Sequence, residues 1–260
     1  VFLIQSTSHR VNEHIMEMLI LMDAFKRASA KTINVVLPYY GYARQDRKAQ
    51  PREPITGKLV ADLLQTAGAD RVISLDLHAP QIQGFFDIPV DHLSATPILA
   101  DYFLKQGLGG EGTVVVSPNH SGVSRSRRMA DYLKVPIAIV DKRSNTPTSP
   151  KSVNVIGEVK DKICIIFDDI IDTGTTVALA AEVLKEKGAT KIYVAAAHAI
   201  LSGDAPTFLE NSSIEQVVMT DSVHLPEEKL FSKLTQISIA DLVAYAITCV
   251  HEERSLHSED

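Results

Sequence analysis

Two adjacent carboxylates followed by a hydroxyl-rich turn make the stretch of this 260-residue chain best equipped for chemistry: Asp168-Asp169-Ile170-Ile171-Asp172-Thr173-Gly174-Thr175-Thr176. A tight turn that ends at a helix start offers backbone amides with no intrahelical acceptor. It also presents the positive end of the helix dipole, and together these attract a phosphate. The hydroxyls of Thr173, Thr175 and Thr176 add donors. Asp168 and Asp169 cannot bind phosphate, but they can accept hydrogen bonds from the vicinal hydroxyls of a sugar. A turn with both properties suits a sugar phosphate. Taken singly, Asp172 reads as a helix cap and the other two as solvated loop residues; the whole string after a buried strand favours a binding site.

The elements around it are equally legible. Ile163–Phe167 is an unbroken apolar, β-branched run, as in a strand of a parallel sheet buried on both faces. The acidic pair should then stand at the strand's exit. Val177–Lys187 has a helical pattern with Gly188 as its C-cap. Other polar residues fall at strand exits, where open α/β sheets place their sites. His78 follows Arg71–Leu75 and Asp76, and is open to a metal, a phosphate or a structural role. Asn119 follows Thr113–Val116, and Lys142 follows Ile137–Val140. Between Tyr39 and Arg52 lies YYGYARQDRK with Arg44, Gln45, Arg47 and Lys48, a cationic, aromatic loop in an acidic chain. Its Arg forks match phosphate oxygens, and a Tyr or Arg face can stack on a base. Ser144–Ser152 reads as a mobile loop beside a site. Arg125, Arg127 and Arg128 read as the solvated face of a helix over Ser121–Leu133, and Asn12 as the cap of the helix carrying Ile15, Met18, Leu19, Met22 and Phe25.

Composition narrows the classes. Hydrophobic content of 45% and charged content of 22% are those of a globular domain protein. A formal net charge of −6 argues against a general nucleic-acid binder. No apolar run approaches the roughly 20 residues that cross a bilayer. Cys164 and Cys249 stand far apart without a metal-binding spacing, which points to a reducing, cytoplasmic setting. No basic leader precedes the opening VFLIQ, and the chain is expected to lack a first segment. Strands and helices alternate throughout, which indicates an α/β protein with parallel sheets. Leu64-x-x-x-Gly68-Ala69-x-Arg71-Val72, ending in His78-Ala79, recurs at the same spacing as Leu184-x-x-x-Gly188-Ala189-x-Lys191-Ile192, ending in His198-Ala199. The repeat predicts two copies of one fold.

YGYARQDRK, AGADRVISLDLHAPQIQGFFDIPVDHL and FDDIIDTGTT resemble the ribose-phosphate pyrophosphokinases over essentially the whole chain. The third motif is shared with phosphoribosyltransferases; the first two, in that order and with the duplication, are specific. The resemblance implies two tandem phosphoribosyltransferase-like α/β domains, residues 1–98 and 99–248, with the helix over 249–260 returning to the first. It implies pyrophosphate transfer from magnesium ATP to the anomeric hydroxyl of ribose 5-phosphate, releasing AMP. In such a site Arg44 and Gln45 hold ATP, and His78 ligates magnesium on its phosphates, with Asn119 where the family's Asp helps hold that ion. Asp168 and Asp169 face the ribose hydroxyls, while Asp172, Thr173, Gly174, Thr175 and Thr176 hold the 5-phosphate. Lys142 neutralises charge on the transferred group. Homo-oligomers, commonly hexamers, are implied too. The chain departs from the family at Asn119, where an Asp is usual, at Ser121 and Thr175, and in Ser144-Asn145-Thr146-Pro147, which lacks the family's cations. A catalytically weak or regulatory paralogue is the alternative that these departures raise.

Overall fold

The computed structural model describes residues 1–143 and 152–256 and divides into two compact units. The first comprises Val1–Ser94, Ser222–His224 and the C-terminal segment from Ser238; the second comprises Ala95–Asp221 and Leu225–Ile237.

The first unit is built on four parallel strands in sequential order: β1 (Phe2–Ile4), β2 (Asn34–Leu37), β3 (Arg71–Leu75) and β4 (Val90–Leu93). Side chains alternate between the faces of a strand, and the two cores follow that alternation. Val35, Leu37 and Val72 join Met18, Met22 and Leu64, from the helices α1 (Val11–Arg27) and α2 (Thr56–Ala67). Val36 and Ile73 face the other way and pack with Ala246 from the chain's last helix, Ala240–His251. β2 and β3 are therefore buried on both sides, which is why they read as continuous apolar runs. β4 has a weaker apolar pattern and was missed in the sequence. Asn12 does not cap α1: the helix starts at Val11 behind Arg10, which is left-handed, and Asn12 Oδ1 instead accepts the Tyr42 hydroxyl at 2.5 Å.

Among its described residues the second unit has seven strands. β5 (Thr113–Ser117), β6 (Ile137–Arg143), β7 (Ser152–Ile156), β8 (Ile163–Ile171), β9 (Lys191–Ala199), β10 (Gln216–Thr220) and β11 (Leu234–Ile237) lie in the order β11-β10-β9-β8-β5-β6-β7. All neighbours are parallel except β6 and β7. One face carries Val114, Cys164, Ile166, Val194 and Val217 against Val177, Ala181 and Leu184 of α5 (Thr175–Glu186). On the other lie α3 (Thr96–Lys105) and α4 (Val123–Leu133), with Phe103 of α3 edge-on to Tyr193 of β9. A sixth helix, α6 (Ala205–Glu210), packs beside α5, and Ala240–His251 is α7.

The internal repeat is visible in hydrogen bonds. Gly68 is left-handed at the end of α2, with Gly68 N–H donating to Gln65 O and Ala69 N–H to Leu64 O. Gly188, Lys185, Ala189 and Leu184 reproduce that pair of bonds after α5. This is the Schellman arrangement, which needs a residue at ease with positive φ. The copies diverge beyond it: His78 lies after the five-residue β3, whereas His198 is buried inside the nine-residue β9, opposite Ile170.

Candidate active site

The acidic pair is not in a loop. β8 runs on through Asp168, Asp169 and Ile171, with Asp168 opposite Ala196 and Ile171 opposite Ala199 on β9. The strand outlasts its apolar run because β9 offers a ladder equally long, and that pairing overrides polarity. β5 pairs with β8 only as far as Ile166. Beyond it, α4 supplies the partners: Ser126 Oγ donates to Phe167 O at 3.2 Å, and Arg125 Nη1 reaches Asp168 Oδ1 at 2.8 Å and Asp169 Oδ1 at 3.1 Å. Asp168 Oδ1 also accepts the Asp169 amide at 3.0 Å. The side chains are 13% exposed at Asp168, 4% at Asp169 and 15% at Arg125. Arg125 is thus no part of a solvated face.

Two buried carboxylates side by side disfavour full ionisation. Burial first, and then the charge of Asp169, push the Asp168 carboxyl up to about 7, against the opposing pull of Arg125. A carboxylate accepts two sugar hydroxyls; its protonated form loses acceptor capacity. A sugar held by this carboxylate would therefore be released as pH falls through about 7. We expect kcat/KM for the sugar phosphate to rise across that region. A sugar phosphate also titrates, near pH 6 as phosphomonoesters do, so ¹³C titration of the Asp168 carboxyl in the free protein separates the two. An Asp168 transition confined to the ordinary range near pH 4 would refute this.

After β8 the turn closes on Gly174, with φ 74° and ψ −13°, and α5 starts at Thr175 without a side-chain cap. The first intrahelical bond runs from Ala178 N–H to Gly174 O, so the amides of Thr175–Val177 point out of the helix end. Thr173 and Thr175 share a hydroxyl contact at 3.1 Å, and Thr173, Thr175 and Thr176 are exposed. Asp172 is half-buried, and its carbonyl accepts Ser202 N–H at 2.9 Å, tying the turn to the segment after β9.

At the exit of β5, Asn119 Oδ1 accepts Ser121 Oγ–H at 2.6 Å and Gly122 N–H at 2.9 Å. Both lone pairs of that oxygen are in use, and Asn119 thereby forms the turn into α4. Next to it, His120 Nε2 meets Asp141 Oδ1 at 2.7 Å, an exposed ring held by a buried carboxylate. Sequence reasoning passed over His120 and Asp141 because their spacing of 21 residues carries no motif. Lys142 lies in β6 opposite Val153; its side chain, and residues 144–151 of the segment read as a loop, lie outside the described residues.

In the first unit Tyr39 and Tyr40 are core residues, not stacking faces, and the Tyr40 hydroxyl donates to Gly57 O at 2.8 Å. Burial pushes the Tyr40 phenol upward. Gly41 sits so close to Thr7 that a Cβ would lie 2.6 Å from Thr7 O. Its N–H donates to Thr7 Oγ1, which donates to Tyr39 O. On that anchored base Arg44 and Gln45 stand exposed. His78 is half-buried after Asp76, whose φ of 36° is left-handed. The turn between them is held by His92, unnoticed in the sequence, whose Nε2 accepts Leu77 N–H at 2.9 Å.

The family model for the N-terminal domain of ribose phosphate pyrophosphokinase matches residues 1–68, and that for the phosphoribosyl synthetase-associated domain matches residues 117–258. Ribose-phosphate pyrophosphokinase 1 of Listeria innocua is 58% identical over 258 residues, 99% of this chain and 81% of its own. The chain belongs to the ribose-phosphate pyrophosphokinase family. The Bacillus cereus ribose-phosphate pyrophosphokinase is 59% identical over 256 residues, 98% of this chain and 80% of its own. A crystal structure of phosphoribosylpyrophosphate synthetase from Mycobacterium smegmatis superposes with a TM-score of 0.91 at 46% identity, over 97% of this chain and 82% of that one. This pyrophosphokinase-family fold is thus two α/β units of mostly parallel sheet flanked by helices.

A kinase of this family works with a divalent ion, and the residues present fit one that arrives on its nucleotide. Among the described residues no group of three or more His, Cys, Asp or Glu side chains could hold a metal ion alone. Magnesium characteristically binds through few protein ligands plus substrate phosphates.

Proposed function

We propose that this chain transfers the β,γ-pyrophosphoryl group of ATP to the anomeric hydroxyl of ribose 5-phosphate, giving phosphoribosyl pyrophosphate and AMP. The observation that carries the reading is the run from β8 through Gly174 into α5, where two buried carboxylates lead directly into an uncapped helix start. Kinship with the ribose-phosphate pyrophosphokinases supports it along the whole chain and favours the enzyme over a non-catalytic subunit.

In this reading the Thr175–Val177 amides and the hydroxyls of Thr173, Thr175 and Thr176 hold the 5-phosphate. Gly174 shapes the turn, and Asp172 fixes it. Asp168 and Asp169 orient the ring by its hydroxyls, so the anomeric oxygen is presented to the nucleotide rather than to water. Arg44 and Gln45 hold ATP. His78 adds one ligand to the ion on the nucleotide phosphates, for which magnesium is the choice that family resemblance supports. When bound, that ion neutralises charge on the phosphates. Lys142 offsets the charge that develops on the transferred group. Such a division suits phosphoryl-type transfer, where positioning and charge stabilisation dominate. Each α/β unit is taken as one phosphoribosyltransferase-like domain. The reading extends to a homo-oligomer, a hexamer by family resemblance. Two free buried cysteines support a reducing, cytoplasmic setting, and no described helix is long and apolar enough to cross a membrane.

The test is AMP formation from ATP. We expect it to require ribose 5-phosphate, to stop on chelation of divalent ions, and to return with added magnesium. AMP released equally without the sugar phosphate, or none from folded protein with both substrates and magnesium, would overturn the proposal.

A further inference from the structure

The sugar-binding role proposed for Asp168 leaves one buried cation unassigned. Arg125 comes from the first turns of α4, a different element from the strand that carries the carboxylates, yet one of its nitrogens bonds Asp168 and Asp169 together. Consecutive residues of a strand send their side chains to opposite faces. Two neighbouring carboxylates therefore do not share a partner unless something draws them to it. The helix that does so is fixed at three points. Asn119 Oδ1 takes the Gly122 amide at its start, Ser126 Oγ bonds Phe167 O just before the pair, and Arg125 bonds the pair itself. Asp168 Oδ1 accepts both Arg125 and the Asp169 amide, which leaves Oδ2, with its two acceptor sites, as the oxygen to receive the sugar hydroxyls.

We propose that Arg125 is a positioning residue that sets the selectivity of the site for a pentose phosphate bearing vicinal hydroxyls. By occupying Asp168 Oδ1 and holding Asp169 beside it, it turns Asp168 Oδ2 toward the ring in one fixed arrangement. A sugar that lacks one hydroxyl of the pair then leaves a buried acceptor unsatisfied, and such sites discriminate strongly. Without Arg125 the carboxylates repel each other, share a proton or rotate apart, and the penalty for the missing hydroxyl shrinks. The inference rests on the function proposed above and adds to it the group responsible for telling ribose from deoxyribose.

The experiment compares kcat/KM for ribose 5-phosphate and 2-deoxyribose 5-phosphate in wild type, Arg125→Gln and Arg125→Lys, each checked by circular dichroism for a folded state. We expect Arg125→Gln to lower kcat/KM for ribose 5-phosphate about a hundredfold, to leave the KM for ATP within about threefold, and to reduce the ribose-to-deoxyribose ratio at least about tenfold, a range set by losing charge-assisted bonds. Arg125→Lys, which keeps the charge on a shorter stem, should recover part of the ratio. If Arg125→Gln does not fold, a ratio lowered in Arg125→Lys carries the proposal. An unchanged ratio in every folded variant, whatever the loss of rate, overturns it and makes Arg125 a packing residue. Failure of the wild-type protein to form AMP in response to ribose 5-phosphate is a separate result, which overturns the function itself.

Discussion

Asp168→Ala lowers kcat/KM for ribose 5-phosphate by about a thousandfold, while the KM for ATP stays within about threefold. The magnitude follows from two hydrogen bonds to a charged acceptor, each worth roughly 1.5–3 kcal/mol. The fold should not suffer. Asp168 lies buried beside a second carboxylate and the Arg125 guanidinium. Removing it relieves the repulsion with Asp169 but also takes the acceptor from the Asp169 amide, so the two effects oppose and the melting temperature should change little. A large kinetic loss without a thermal one is the expected signature. Steady-state kinetics with varied ribose 5-phosphate, beside a thermal melt, checks both halves; a folded variant within threefold of wild type would remove Asp168 from the site.

Gly174→Val is expected to raise the KM for ribose 5-phosphate about a hundredfold, and Gly174→Ala about tenfold. At φ 74° Gly174 sits in the left-handed region, where a side chain costs roughly 1–2 kcal/mol. Space is short as well: an added Cβ would lie 3.3 Å from Leu209 Cγ on α6. The turn must shift, and the amides of the first turn of α5 shift with it. Misplacement by about an ångström is enough to cost on the order of a hundredfold. The effect should fall on the sugar phosphate and spare ATP. A soluble Gly174→Val protein with an unchanged KM for ribose 5-phosphate would show that those amides hold nothing.

The parts of this molecule legible from sequence are those set by local chemistry. Arg71–Leu75 reads with the observed ends of β3, because a buried parallel strand is a continuous apolar run. Gly188 announced a helix end through a backbone conformation that other residues resist. What escaped depended on partners distant in sequence. The acidic pair looked like a loop since nothing in FDDII says that β9 extends to meet it. Arg125 looked solvated because it stands among Arg127 and Arg128. A signal existed there: Arg125 lies one helical turn before buried Met129 and next to buried Ser126, on the inward stripe, whereas Arg127 and Arg128 fall outside it. His92 gave no signal, since its task is to accept one peptide N–H from a turn fifteen residues earlier.

The overhang of β8 beyond β5 gives the protein its own spectroscopic probe. On the side that β5 no longer covers, the Asp169 peptide proton is held by the carboxylate of Asp168. Any gain or loss of negative charge on that carboxylate moves the proton's chemical shift and its exchange rate with solvent. A ¹H–¹⁵N spectrum followed during titration with acid or with sugar phosphate would thus track the occupancy of the pair through one backbone resonance, without a label in the substrate.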